Sequence, residues 1–122
     1  MTARTLDLEH VAEVAIAAAR RAGAYIQSRL GSIEHVSQKK GGSSVAAQVV
    51  TEVDGESERL ILEVLGEVQA LYGLGLLTEE RVDDASRYEC EHFFCIDPLD
   101  GTLSFIEGKP GYAVLIAVVS QS

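Results

Sequence analysis

No apolar run in these 122 residues approaches the ~20 residues that span a membrane, so a helical membrane protein is excluded as a reading. The first residues lack the basic-then-apolar order of a signal peptide, and the expected address is cytoplasmic. Cysteine is scarce. Cys90 and Cys95 have no C-x-x-C partner pair and no nearby paired histidines, so both are read as reduced packing thiols, not zinc ligands or a disulfide. Basic residues run short after residue 48, where four Lys/Arg face fifteen Asp/Glu, against six and four before it. That imbalance disfavours a general nucleic-acid surface, which needs Lys and Arg for the phosphate backbone. It suits a divalent metal, although most of these carboxylates read as solvated surface. A P-loop is also missing, because Lys39-Lys40-Gly41-Gly42-Ser43-Ser44 does not follow the spacing G-x-x-x-x-G-K-S/T.

What is present describes one soluble, acidic α/β domain, with 47% apolar and 24% charged residues and a net charge of −9. Val11, Ala15, Ala18, Ala22 and Tyr25 recur at helical spacing, predicting a scaffold helix from about Leu8 to Leu30. Asp7 or Thr5 is placed to cap it, Gly31 to stop it, and His10 reads as a surface residue. Ser32–Ser44 reads as a polar loop, with a lid bringing Lys39 and Lys40 to an anionic substrate as the alternative. Val45–Val53 is rich in β-formers and reads as extended. Leu60, Ile61, Val64, Leu65, Val68 and Leu71 then mark a helix, with Asp54 at the N-cap and Glu56 and Glu58 in its first turn. Capping alone would explain Asp54.

Gly73 and Gly75 end that helix, Leu74–Leu77 reads as a short strand running into Thr78-Glu79-Glu80, and Arg81–Glu91 as a charged connector. His92–Ile96 reads as a buried strand that should stop at Asp97, because Pro98 cannot donate to a ladder. Phe105 and Ile106 are expected to pack beneath the following turn, and Gly108-Lys109-Pro110-Gly111 is a second turn. Tyr112–Val119, almost unbroken in its apolarity, reads as a strand buried on both faces. Its apolar edge would lie uncovered, so the chain is expected to be the front portion of something longer, or to self-associate.

The chemistry concentrates in Asp97-Pro98-Leu99-Asp100-Gly101-Thr102. Two carboxylates beside a sharp turn are costly unless a cation neutralises them, and Mg²⁺ takes oxygen ligands while keeping positions for water and substrate phosphate. Gly101 permits the turn, and Thr102 is placed to open a helical turn with N–H groups pointing outward. The plainer reading is a turn in which both aspartates cap backbone N–H groups. A calcium loop fits badly, because its acids alternate at a two-residue step. An aspartyl-phosphate phosphatase of the D-x-D-G-T type needs one residue between its aspartates, and here Pro98 and Leu99 both intervene.

Thr51-x-x-Asp54 before a helix, Thr78-Glu79-Glu80 after a strand and Asp97-Pro-Leu-Asp-Gly-Thr102, in that order, resemble the magnesium-dependent, lithium-sensitive phosphatases of the inositol monophosphatase family. Relatives there include 3′(2′),5′-bisphosphate nucleotidases and, more distantly, fructose-1,6-bisphosphatases. The resemblance covers roughly residues 40–119 and implies helices on a largely antiparallel sheet, the front domain of a layered sugar-phosphatase fold. It implies that Glu79, Asp97 and the Leu99 carbonyl hold a first Mg²⁺, with Asp97 bridging to a second that Asp100 also binds. Asp54 and Thr102 would orient and deprotonate the attacking water, and the N–H groups of Gly101 and Thr102 would hold the phosphate. Glu80 would be secondary.

The implied reaction is hydrolysis of a small phosphate monoester, without a covalent phosphoenzyme. Leu99 and the Thr78-Glu79-Glu80 form lean toward the nucleotidase branch, with sugar phosphates still open. Phe94 stands where the family usually has tryptophan, and the second half, with its W-D-x-A-like aspartate, is absent from these residues. The alternative function is a non-catalytic metal- or phosphate-binding module, or half of a split enzyme that needs a partner chain.

Overall fold

The computed structural model describes residues 4–37, 42–79 and 81–121; Lys39, Lys40 and Glu80, and with them the lid reading, lie outside these residues. The chain runs α1 (Leu8–Ser37), α2 (Gly42–Tyr72), β1 (Gly75–Thr78), α3 (Ser86–Glu89), β2 (His92–Asp100), α4 (Thr102–Ile106) and β3 (Ala113–Ser120). The sheet has the order β1-β2-β3, with β1 parallel to β2 and the longer β2–β3 pair antiparallel. The expected α/β class, with helices on a largely antiparallel sheet, is what the chain adopts.

Both long helices outrun their predicted limits. Asp7 caps α1 as expected, its Oδ1 accepting the His10 N–H at 3.1 Å. Gly31 does not end α1, which continues to Ser37. The larger correction is α2. Val45–Val53 is helical, and α2 is continuous from Gly42. Val49, Val53, Ser57, Ile61 and Leu65 stand four apart and are all buried, so one stripe crosses the predicted boundary. Packing of that stripe outweighs the modest β preference of the valines. Gly73, with φ 65°, ends α2, and Leu74 N–H returns to the Gln69 carbonyl at 2.9 Å.

The helices cover one face of the sheet. Val11, Ala18 and Ala22 of α1 and Ile61, Leu65 and Val68 of α2 close over Phe94 and Ile96, with Leu76, Ile116 and Val118 packed alongside. His10 is half-buried in this layer, not on the surface: its Nδ1 lies 2.7 Å from the Tyr72 hydroxyl. A second cluster, of Ile26, Val49, Val53, Leu99 and Phe105, lies under the turn after β2, where Phe105 was expected.

The other face is largely open. The register brings Leu77, Cys95 and Ala117 into line across it, with Leu115 beside Asp97. Cys95 is exposed, not packed, and β3 is half-open: Leu115 is 50% and Val119 36% exposed, against a partly buried Val114, Ile116 and Val118. The expectation of burial on both faces fails because α1 and α2 layer one side, whereas on the other α3 packs at the Gly75–Phe93 end, away from β3.

Candidate active site

The acids gather where β1 and β2 end side by side. Thr78 pairs with Ile96, and Glu79 N–H donates to the Ile96 carbonyl at 3.3 Å, so Glu79 follows directly beside Asp97. Both line a cleft of ≈ 480 Å³ on the open face of the sheet, walled by Leu77, Cys95, Leu115 and Ala117. Glu79 is exposed and Asp97 half-buried. Apolar walls around two carboxylates lower the local dielectric and raise the value of a cation placed there.

Strand β2 does not stop at Asp97. It runs on to Asp100 through a bulge: Asp97 faces Leu115, and Asp100 faces Ala113, so one extra residue stands on β2. Proline is tolerated there because β1 has already ended opposite Ile96, and a bulged residue needs no ladder N–H. Asp97 Oδ1 accepts the Leu99 N–H at 3.2 Å, so the turn-capping reading holds for that oxygen. Asp100 and Thr102 are exposed, and Leu99 is buried against Val53 and Phe105.

Gly101 sits at φ 79°, and a Cβ there would come within 2.3 Å of the Gly111 carbonyl oxygen. Only glycine fits, and its left-handed turn starts α4 at Thr102.

Asp54 is not an N-cap. It lies inside α2, 8% exposed, so capping does not explain it. Three and four residues on, the same helix face carries Ser57 and Glu58, which the sequence reading missed as site neighbours. Ser57 is fully buried and donates from Oγ to the Pro98 carbonyl at 2.8 Å. Glu58 is also buried; its Oε1 lies 2.8 Å from Arg81 Nε and its Oε2 accepts from Thr78 Oγ1 at 3.4 Å. One turn of α2 thus touches both acid-bearing turns. A serine standing at a core position of an otherwise apolar stripe was the signal for Ser57; Glu58 gave none beyond its spacing from Asp54.

Among the described residues, no three His, Cys, Asp or Glu side chains stand close enough together to hold a metal. Glu79 and Asp97 come together, while Asp54 and Asp100 stay outside a common ligand set with them. The donors are nonetheless oxygens only, and a hydrated Mg²⁺ needs just one or two carboxylates. The cleft fits such an ion, not a cage built from protein ligands alone. A further groove, of ≈ 700 Å³, lies between α1 and residues 108–114; among the described residues its charged lining is Arg20 and Lys109, so it is not part of the acid cluster.

A description of the inositol monophosphatase family matches residues 7–122. The chain is 35% identical to the Nus factor SuhB of Vibrio cholerae over 105 residues, 86% of this chain and 37% of that protein. It is 35% identical to an inositol-1-monophosphatase of Caulobacter vibrioides, over 84% of this chain and 38% of the relative. The crystal structure of the extragenic suppressor protein SuhB from Bartonella henselae superposes with a TM-score of 0.67 at 30% identity, covering 92% of this chain and 40% of that one. The chain therefore spans about two-fifths of the length of the proteins it matches.

Proposed function

The chain belongs to the inositol monophosphatase family, and from that premise we propose that it is the amino-terminal metal-binding domain of a phosphate monoester hydrolase. The observation that carries this reading is the shared cleft of Glu79 and Asp97 at adjacent strand ends, a site for a hard cation. Glu79, Asp97 and the Leu99 carbonyl would hold one Mg²⁺, and Asp97 and Asp100 a second, so that each ion meets no more than two of these carboxylates. A bound Mg²⁺ would neutralise phosphate charge and lower the pKa of a coordinated water.

The chain's own residues do the rest. Asp54 and Thr102 orient the attacking water and take its proton. The N–H groups of Gly101 and Thr102 donate to the phosphate oxygens, which keeps the phosphorus in line with the water. The new bond forms from water oxygen to phosphorus, the ester P–O bond breaks, and the leaving alkoxide takes its proton from a solvent water. The substrate class is a small phosphate ester: an inositol monophosphate, a 3′(2′),5′-bisphosphate nucleotide or a related sugar phosphate.

Phosphate release from inositol 1-phosphate and adenosine 3′,5′-bisphosphate with Mg²⁺ tests this reading and separates the two substrates. Asp97→Asn should abolish any turnover, a loss of at least about 100-fold for a group acting on transition-state charge. A second reading, a non-catalytic binding module or half of a split enzyme, is favoured by the lack of a three-ligand cluster among the described residues. It also agrees with a relative named as a Nus factor. Mg²⁺ binding without turnover of either ester would decide for it.

A further inference from the structure

The bulge between Asp97 and Asp100 breaks the β2–β3 ladder, so cross-strand pairing does not define the backbone that separates the two aspartates. Pro98 offers no N–H there, and its carbonyl must find a donor inside the fold. That donor is Ser57 Oγ, at 2.8 Å and from 41 residues away in the sequence, on a side chain with no exposed surface. A helical serine ordinarily turns its hydroxyl back to the carbonyl four residues earlier; this one spends it across the domain. Ser57 also shares a helix face with Asp54, three residues before it.

We propose that Ser57 is a positioning residue of the acid site: its hydroxyl anchors the Pro98 bulge to the Asp54-bearing turn of α2. Asp97 and Asp100 then keep their spacing on β2, and both keep their placement relative to Asp54. This inference rests on the reading of these acids as the metal and water site. Ser57 itself touches neither substrate nor metal.

Two amides report on the bulge without any metal: Leu99 N–H, bonded to Asp97 Oδ1, and Phe105 N–H, bonded to the Gly101 carbonyl. Hydrogen exchange at both should quicken about tenfold in Ser57→Ala, the scale of one lost buried hydrogen bond. Val11→Ala, which removes buried volume in α1 away from the bulge, should leave them at the wild-type rate after correction for global stability. Ser57→Thr keeps the hydroxyl and should restore most of the protection. Mg²⁺ affinity, measured calorimetrically on the same proteins, should fall about tenfold in Ser57→Ala only. Wild-type exchange at Leu99 and Phe105 in Ser57→Ala overturns the proposal, as does undiminished Mg²⁺ affinity of that variant beside a wild type that binds. Faster exchange in a protein that binds no Mg²⁺ in either form keeps Ser57 as the anchor of the bulge and overturns the metal reading instead.

Discussion

At Gly101 the backbone and the space around it make the same demand. Its φ of 79° is strained for any side chain, and a Cβ would press on the Gly111 carbonyl at 2.3 Å. Gly101→Ala is therefore expected to destabilise the chain by about 1–3 kcal/mol, read as a lower urea midpoint at unchanged m-value. This position was legible in the sequence, because a D-G-T step allows little else. Asp54 was legible as a residue but not as a position. Seen as an N-cap it had an ordinary use; inside α2 and 8% exposed it needs another. Glu58 and Arg81 were invisible for a different reason. Their 2.8 Å ion pair joins α2 to the end of β1, and no local pattern encodes a contact between two turns that meet only after folding.

Among the elements, α2 shows why the boundary reading failed. β-branched residues at 45, 49, 50 and 53 argue for a strand only while taken alone; the buried stripe at four-residue spacing from Val49 to Leu65 gives Val49 and Val53 a helical partner face. Its exposed face carries a charge ladder. Arg59 lies 2.6 Å from Glu56 and 2.8 Å from Glu63, and Arg21 on α1 lies 3.1 Å from Glu63. The hydrogen bond from Arg59 holds Glu56 below its ordinary 4.5, and that from Arg21 does the same for Glu63. A carboxylate whose pKa falls on folding stabilises the fold above its unfolded value and loses that contribution as pH drops through the folded value. Thermal stability should thus be level from pH 7 to 5 and decline below 4.5. Arg59→Gln should make the decline shallower. These groups are exposed, so 1 M NaCl should also reduce the effect. An equally steep decline in the variant and in high salt would remove the ladder as its cause.

For the whole molecule, the fold class was legible from helices alternating with strands, but the sheet's coverage was not. Ala113-Val114-Leu115-Ile116-Ala117-Val118-Val119 is apolar at odd and even positions alike, so its pattern cannot say which face another layer covers. The structure covers the even positions only. Leu115 and Val119 remain exposed beside Cys95 and Ala117, and β3 forms one margin of the sheet. An apolar face next to an edge strand favours association, through the face by burial and through the edge by pairing. The expected occupant of this face is a second copy of the chain, because the same apolar face and the same β3 edge are present on both copies. Sedimentation should show a concentration-dependent dimer. Leu115→Lys should shift it toward monomer, and because Leu115 is half exposed, it should do so with little loss of monomer stability. The same lysine would stand beside Asp97 and compete with Mg²⁺ for the cleft, so metal affinity should fall together with dimerisation. Val119→Lys, at the far end of the strand, should weaken the dimer and spare the metal. A wild type that remains monomeric at every concentration would show that neither the open face nor the β3 edge is adhesive enough to pair.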